Sequence, residues 1–389
     1  MTTIGRAWYR LLGTNLAGAA VALLLLIAGF CVIETSALAG WTLWILAATC
    51  AAGAAKFLLI DRQRGEGPGR RIVVDGVAMH ILAEGRADDA HPILWIGGGH
   101  GEGLVMAHLH RAAATRTRSV VFDRAGAGWS ELGTLPLTIK RETAQLARLL
   151  EVAGERGPFV LAGHSFGGLF ALNFASRYPG LVAGIVAMDP TPPANVTWAG
   201  RLSFGRLLRL APWRALALQL GLRRAGDPEI DDTTSAFHRC VADWAQAINR
   251  NSLRPKSVIA EAMAFRSALD EPFDMVNGEG ALGDIPLVLL LANPHPADDA
   301  KMRGQVKTML ALDAVQEANF WSAMDESMAH LQRLSRRSRT TLAPPGTSHM
   351  FPYEHPEFVL QEVLSMANVM ANAAVTSQAD ATAKGSPAR

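Results

Sequence analysis

The sequence is poor in cysteine, in net charge and in clustered metal ligands. Its three cysteines are Cys31, Cys50 and Cys240, and two of them lie in apolar stretches, so we expect no disulfide framework. No Cys/His grouping has the spacing of a metal site, and we expect no metal or other cofactor. Lysine and arginine total 37 against 35 aspartate and glutamate residues, and the resulting charge of +2 gives no reason to expect a nucleic-acid partner.

Two long stretches near the N-terminus lack charged residues altogether, at 16–33 and 41–55. Extended to residue 60, the second stretch has about 20 residues, the length that a helix needs to cross roughly 30 Å of hydrocarbon. Indole rings, which suit the headgroup region, lie near the ends of these stretches at Trp8, Trp41 and Trp44. The sequence therefore predicts two transmembrane helices within residues 1–64.

Basic residues flank this pair of stretches, whereas the short connection between them carries only Glu34. The flanking residues are Arg6, Arg10, Lys56, Arg62, Arg64, Arg70 and Arg71. The positive-inside rule then predicts a hairpin in a bacterial inner membrane, with the main domain in the cytoplasm. Two alternatives stay open: a cleaved signal peptide at 1–39, because "SALAG" at 36–40 resembles a small-residue cleavage site, and a pair of buried core helices.

Short apolar runs alternate with helical segments after a glycine-rich linker at 65–69. A hairpin around Asp75-Gly76 comes first. Further strands are predicted at 92–96, 119–122, 158–162, 182–188, 286–292 and 340–342. Helices are predicted near 103–115, 138–153, 166–178, 317–336 and 355–372. Continuous apolar strands separated by helices predict an α/β fold with a mostly parallel sheet that is covered on both faces.

This strand–helix rhythm stops between residues 190 and 285. The segment has helical character and no clear strand, which predicts a helical lid inserted into the core. The expected domains are an N-terminal hairpin (1–64), a first core part (65–189), the lid (190–285), a second core part (286–372) and a small, polar, disordered tail (373–389).

The serine of "GHSFG", residues 163–167, lies between a predicted strand and a predicted helix. This context fits the G-x-S-x-G nucleophile elbow, in which a sharp turn lifts the serine hydroxyl above the sheet. Gly163 and Gly167 suit such a turn, because side chains at these positions would collide with the neighbouring strand or helix. The helix that begins at Phe166 also directs backbone N–H groups toward developing negative charge. The alternative is a glycine-rich turn with an incidental serine.

A second segment, "DRAGAGWS" at 123–130, follows the predicted fourth strand. With the elbow after the fifth strand and the insertion after the sixth, it makes residues 70–370 resemble the α/β-hydrolase fold family. The resemblance implies an eight-stranded α/β-hydrolase core and a Ser–His–acid triad with Ser165 as the nucleophile. Asp123 and Arg124 are expected to tie the fourth-strand loop to its neighbours rather than to do chemistry.

The triad needs a base, because a serine hydroxyl is a poor nucleophile until its proton is removed. Of the eleven histidines, His349 is the best candidate. It lies in "TTLAPPGTSHMFPYEHPEFV", a strand, turn and helix start that resemble the family's final loop. His355 is placed nearer the helix start, and strand alternation predicts that His164 points away from the site.

The acid of the triad has three candidates. The family's usual position falls near 293–295, where this sequence has no carboxylate, and Asp298 and Asp299 come slightly later. Some members take the acid from the end of the sixth strand, where Asp189 stands. We favour Asp189 because a buried strand fixes its position, although it could instead cap the proline-rich turn that follows.

An oxyanion hole needs two N–H donors. The resemblance implies Phe166 as one donor, and Gly98 or Gly99 of "WIGGGHGEG" as the other. Most relatives have His-Gly in this loop, and here Gly97 replaces the histidine. A phosphate-binding role is disfavoured, because the glycine run lacks the lysine and Ser/Thr of a P-loop.

The lid carries a basic amphipathic stretch at 198–224. Leucines and tryptophans alternate there with Arg201, Arg206, Arg209, Arg214, Arg223 and Arg224. Such a stretch can lie on an anionic membrane surface, and an ordinary lid helix with solvated arginines has the same pattern. Beside a membrane hairpin, this lid would suit a substrate delivered from the bilayer.

These patterns predict a membrane-anchored serine hydrolase that cleaves a carboxylic ester, including a lipid-like one, through an acyl-enzyme. The expected partners are a small-molecule or lipid-like acyl substrate and the membrane. One alternative is a catalytically silent binding or scaffold protein, suggested by the missing acid at the usual site and by Gly97. Another is an acyltransferase or amidase of the same fold. Aspartate-nucleophile relatives are disfavoured because the elbow holds serine.

Overall fold

The structure is a computed structural model that describes residues 9–14, 16–62, 66–86, 90–99, 101–191, 205–220, 236–241, 243, 248, 251, 254–270, 278–293, 298, 300, 303–304, 307–308 and 312–384. Among the lid arginines, residues 201, 223 and 224 lie outside this set, and so does the acid candidate Asp299.

Eight strands form one sheet in the order β1-β2-β4-β3-β5-β6-β7-β8. They are β1 Arg70–Val74, β2 Val77–Glu84, β3 Ile93–Ile96, β4 Ser119–Phe122, β5 Phe159–His164, β6 Val182–Met188, β7 Leu287–Leu291 and β8 Ser338–Leu342. Only β2 runs antiparallel to its neighbours β1 and β4, and the other pairs are parallel. The mostly parallel eight-stranded sheet is therefore confirmed.

The predicted hairpin turn is present between β1 and β2. Asp75 has φ of 50° and Gly76 has φ of 78°, the left-handed pair that a two-residue hairpin turn requires. The edge strand β8 is largely exposed and lacks the continuous apolar run of β6 and β7, so the strand predicted at 340–342 is shorter than the observed one.

The α-helices are α1 Ala17–Val32, α2 Ala37–Arg62, α3 Ala107–Ala114, α4 Ile139–Ala153, α5 Phe166–Arg177, α6 Gly205–Gln219, α7 Ala236–Cys240, α8 Pro255–Asp270, α9 Ala314–Arg333, α10 Phe351–Glu354 and α11 Pro356–Lys384. Alternate residues of each central strand enter two different cores. Leu94 of β3 packs with Phe170 of α5 on one face, whereas Trp95 packs with Val359 of α11 on the other. This two-sided burial explains the continuous apolar runs of the strands.

Helices α1 and α2 form an N-terminal hairpin around a turn at 33–36. Phe30 and Trp44 meet across it, with ring centroids 4.9 Å apart. Within the described residues, one helix is long and apolar enough to cross a membrane, Ala37–Leu59, with a mean hydropathy of 1.6 and 17% of it buried. Helix α1 is apolar but has 16 residues, about 24 Å of helix, which is shorter than a typical bilayer core. The expected pair of spanning helices therefore stays a prediction.

The described lid segments are helical, as expected. Helices α6 and α8 pack together through Ala211, Leu218, Val258 and Ala262. These four side chains form a small apolar core between the two helices.

The last helix differs from the expected disordered tail at 373–389. Helix α11 continues through Lys384, and of the expected tail only residues 385–389 lie outside the part of the chain that the structure describes. Its first half is buried through Val359, Val363 and Ala367, which have helical spacing. The segment beyond is rich in alanine, the residue with the highest helix propensity, so the helix continues past its buried part.

Candidate active site

Ser165 lies at a sharp turn between β5 and α5. Its φ of 55° and ψ of −122° are a strained combination for a residue with a side chain. A β-carbon on Gly163 would lie 2.4 Å from the Gly167 carbonyl oxygen, and one on Gly167 would lie 2.3 Å from that of Ile96. The two flanking positions thus have room only for glycine, and the turn has the geometry expected of a nucleophile elbow.

His349 and Asp189 meet at the carboxyl edge of the sheet. His349 lies in the loop after β8, and Asp189 directly follows β6. The Nδ1 atom of His349 is 2.6 Å from Oδ2 of Asp189, whose side chain is 10% exposed. A carboxylate in this position accepts the Nδ1–H bond, and this leaves Nε2 of the imidazole for proton transfer.

Backbone groups at the end of β7 also hold Asp189 in place. Its other carboxylate oxygen, Oδ1, accepts the Ala292 N–H at 3.4 Å, and its own N–H donates to the Leu290 carbonyl at 2.7 Å. Of the other two acid candidates, Asp298 is exposed and Asp299 lies outside the described residues. The structure therefore pairs His349 with the acid candidate at the end of β6.

Contacts on both sides of Ser165 connect the elbow to the segments that carry this pair. Oγ of Ser165 is 3.5 Å from Oγ1 of Thr191, two residues after Asp189. The ring of His349 packs against that of His164, the residue before the serine, with centroids 4.7 Å apart. In the described part of the chain, no hydrogen bond joins Ser165 to His349, and catalytic hydrogen bonds of this type often form only with substrate bound.

His164 does not point away from the site as strand alternation predicts. Its Nε2–H donates to the His349 carbonyl at 2.9 Å, and its side chain is almost completely buried. Burial, reinforced by the neighbouring His349, lowers the pKa of His164 to about 3, so this ring is neutral near pH 7. The alternation rule fails because the positive φ of Ser165 interrupts the pleat at the end of β5.

The two expected oxyanion donors lie on either side of the nucleophile. Phe166 is the first residue of α5 and directly follows Ser165. A β-carbon on Gly98 would lie 3.2 Å from the Cβ of Ser165, so the Gly98 backbone lies against the serine. One on Gly99 would meet nothing within 4 Å. Of the two candidates for the second donor, Gly98 is the one that adjoins Ser165.

Asp123 organises the loop after β4, in agreement with the structural role expected of it. Its buried carboxylate accepts the Gly103 N–H at 2.7 Å and the Trp129 N–H at 2.9 Å. It also lies 2.8 Å from Nδ1 of His80. Burial lowers the pKa of His80, but the Asp123 carboxylate outweighs it, and the net pKa is raised.

Arg124 is a buried cation next to the Gly98–Gly99 segment, a contact that no local pattern in the sequence predicts. Its Nη2 donates to the Gly99 carbonyl at 2.7 Å, and its guanidinium lies over the Phe166 ring, 4.9 Å from the centroid. Burial lowers the pKa of Arg124, and Glu142 and Glu261 oppose this effect. The guanidinium therefore links the Gly98–Gly99 segment to the first turn of α5.

A metal site needs several ligand side chains held close together. Among the described residues, no group of three or more His, Cys, Asp or Glu side chains is placed to hold a metal ion.

Comparison with known proteins gives a family match over residues 90–362, more than half of the chain, to a model described as the alpha/beta hydrolase family. The chain is 30% identical over 124 residues to the uncharacterized protein YbdG of Bacillus subtilis, and this region covers 32% of this chain and 38% of that protein. It is 30% identical over 159 residues to a cis-3-alkyl-4-alkyloxetan-2-one decarboxylase of Xanthomonas campestris. The matched region covers 38% of this chain and 52% of the relative. The chain thus spans about half or less of each of these relatives.

Solved structures share the fold. A thermophilic esterase from Thermogutta terrifontis superposes with a TM-score of 0.53 at 19% identity, covering 78% of this chain and 100% of the esterase. At this level of identity the likeness concerns the fold alone.

Proposed function

The chain belongs to the alpha/beta hydrolase family, and we propose that it is a membrane-anchored serine hydrolase that cleaves a carboxylic ester through an acyl-enzyme on Ser165. The observation that carries this proposal is the 2.6 Å contact between His349 Nδ1 and Asp189 Oδ2 beside the serine elbow. It supplies an oriented base for a hydroxyl that the elbow exposes.

In the acylation step, Oγ of Ser165 attacks the ester carbonyl carbon while Nε2 of His349 takes the hydroxyl proton. Asp189 stabilises the imidazolium that results. The carbonyl oxygen becomes an oxyanion, and the backbone N–H groups of Phe166 and Gly98 are the proposed donors to it. The tetrahedral intermediate collapses when His349 gives its proton to the leaving alcohol.

In the deacylation step, water takes the place of the alcohol. Nε2 of His349 accepts a proton from the water, whose oxygen attacks the acyl carbonyl of the ester on Ser165. Collapse of the second intermediate returns the proton to Ser165 and releases the carboxylic acid, so the enzyme is regenerated.

The local structure supports an active enzyme over a silent member of the fold. One reason to suspect silence is Gly97, where relatives have histidine. A β-carbon at Gly97 would lie 2.3 Å from the Glu102 carbonyl oxygen, so this backbone itself requires glycine there. The other reason is the missing acid after β7, and Asp189 offers a carboxylate in its place.

Membrane anchoring is supported by the exposed apolar surface of the N-terminal hairpin. Helix α2 contains the 23-residue stretch Ala37–Leu59, of which little is buried within the protein. Large apolar side chains of both helices are exposed, among them Leu23, Leu24, Ile27, Phe30, Leu38, Trp41 and Ile45. Such a surface needs a lipid or detergent environment.

A fluorophosphonate probe tests the proposed chemistry on the full chain in detergent. Wild type should be labelled at Ser165, and Ser165→Ala should not be. Absence of labelling in wild type that binds detergent and unfolds cooperatively would favour the silent alternative. Relative rates with water, alcohols and amines as acyl acceptors would separate a hydrolase from an acyltransferase or amidase.

A further inference from the structure

The lid helix α6 exposes apolar residues on its outer side. Leu210 is 46% exposed and Trp213 is 66% exposed, whereas Ala211 and Leu218 are buried against α8. The helix therefore packs on α8 through an alanine and a leucine, and it presents its one tryptophan, together with Leu210, outward. On a lid that faces water, we would expect polar side chains on the outer side and large apolar side chains turned inward.

The same helix is joined to the N-terminal hairpin by a buried side-chain amide. Gln219, the last residue of α6, is fully buried. Its Nε2 donates to the Leu12 carbonyl at 2.8 Å, and its Oε1 accepts the Gly18 N–H at 3.0 Å. Because both ends of the amide are used, the position and orientation of α6 are fixed relative to the start of α1.

An apolar cluster reinforces this connection. Leu12 and Ala17 at the start of the hairpin pack with Ala215 of α6 and Ile259 of α8. Ala125, the residue after Arg124, belongs to the same cluster. The start of the hairpin, the lid and the loop next to the proposed oxyanion donors thus share one core.

The surroundings of this core indicate a lipid bilayer as the partner. Helix α6 contacts both helices of the hairpin, whose exposed apolar surface is described above. Basic side chains are exposed near the two outer ends of the hairpin, at Arg10, Lys56 and Arg62. Cations and tryptophan are found at the headgroup level of a membrane, and Trp213 lies on α6, which contacts the hairpin that carries these cations.

We propose that α6 lies on the bilayer surface, with Leu210 and Trp213 in the boundary between headgroups and acyl chains, and that the hairpin holds it there through Gln219. The consequence for substrate class rests on the proposed function: an acyl ester dissolved in the membrane reaches Ser165 from the lid side, without passing through water.

The docking itself is tested with an environment-sensitive fluorophore on a cysteine at position 213. Trp213→Cys is made in a background in which Cys31, Cys50 and Cys240 are alanine, and the full chain is reconstituted in phosphatidylcholine–phosphatidylglycerol vesicles. Val315→Cys is the matched control. Val315 is 70% exposed, and it lies on α9, which belongs to neither the lid nor the hairpin. Nitroxide-labelled lipid should quench the fluorophore at 213 several-fold more than at 315.

Equal quenching at the two positions would overturn the inference, whether or not the protein is an enzyme. A fluorophosphonate label on Ser165 is measured in the same samples. Strong quenching at 213 without serine labelling would leave the docking in place and reject the proposed function. Serine labelling with a water-exposed position 213 would do the reverse.

A second readout concerns the substrate. Trp213→Ser should lower the rate on a long-chain ester embedded in vesicles about tenfold. This is the factor expected when one apolar side chain is no longer buried in the bilayer. The rate on a short soluble ester should stay unchanged, and Val315→Ser should alter neither. An unchanged ratio of the two rates in Trp213→Ser would contradict delivery of the substrate from the bilayer.

Discussion

Asp189 and His349 are 160 positions apart in the sequence, and their side chains meet at 2.6 Å. The contact joins the end of a central buried strand to a loop near the C-terminus. Of the three acid candidates, Asp189 is the one that the structure pairs with His349. It follows β6 at the same edge of the parallel sheet at which Ser165 follows β5.

Replacing Asp189 tests this choice of acid. Asp189→Asn should lower kcat on a short p-nitrophenyl ester by about 10⁴-fold, because the amide cannot stabilise the imidazolium or hold its reactive tautomer. Asp298→Asn is the matched control, since Asp298 is exposed, and it should keep wild-type activity. Loss of activity in Asp298→Asn, with Asp189→Asn unaffected, would refute the assignment.

Arg124 is predicted to act as a positioning residue. Arg124→Met removes the bond to the Gly99 carbonyl and the stacking on Phe166, so the oxyanion donors should be held less well. We expect kcat to fall by about 10²-fold, the loss associated with one oxyanion donor, with little change in KM. Arg124→Lys should recover part of kcat.

A purely structural role for Arg124 would give a different result. Both variants would then lower the thermal midpoint, while the folded fraction would retain the kcat of wild type. Measuring kcat per fluorophosphonate-labelled site separates these outcomes, because only folded protein with a reactive serine is counted.

His164 should make the stability of the protein depend on pH. Its pKa in the folded state is about 3, whereas an unfolded histidine titrates near 6.5. Between these values the unfolded chain binds more protons, so stability decreases as the pH falls through this window, by at most about 1.4 kcal/mol per pH unit. Thermal midpoints measured from pH 7 to pH 4 should show this loss.

The variant His164→Gln isolates this contribution. Its amide can still donate to the His349 carbonyl but does not titrate, so its midpoint should decline less than that of wild type over the same pH range. Identical declines for the two proteins would show that His164 is not the group responsible.

The proposed membrane hairpin predicts a topology that can be tested. If both of its outer ends are in the cytoplasm, a green fluorescent protein fused after Arg389 should fluoresce, and alkaline phosphatase fused there should be inactive. An active phosphatase fusion would place the catalytic domain on the other side and exclude a two-span hairpin with both ends in the cytoplasm.

Local motifs explain why part of the site was predictable. The elbow at Ser165 and the loop at His349 are short segments whose chemistry depends on adjacent residues, and the strand–helix order gives their place in the fold. Asp189 was only one of three options, because choosing among them requires knowing which strand end faces the final loop.

Other features depend on contacts that leave no trace in the local sequence. Gln219 bonds to Leu12 and Gly18 from 207 and 201 positions away, and nothing near it in the sequence indicates a partner. The packing of His164 on His349 depends on a strained backbone at Ser165, which suspends the alternation that a strand pattern assumes. The helical continuation of α11 reflects alanine propensity, which a low content of large apolar residues concealed.

The most direct test of the account is to trap the acyl-enzyme. Wild type is mixed with p-nitrophenyl butyrate, quenched in acid within the first turnover and digested for mass spectrometry. We predict a butyryl group on the peptide that contains Ser165, and its absence in Ser165→Ala together with the loss of hydrolysis. Hydrolysis that persists in Ser165→Ala, or a butyryl group carried by a different residue, would contradict the central claim.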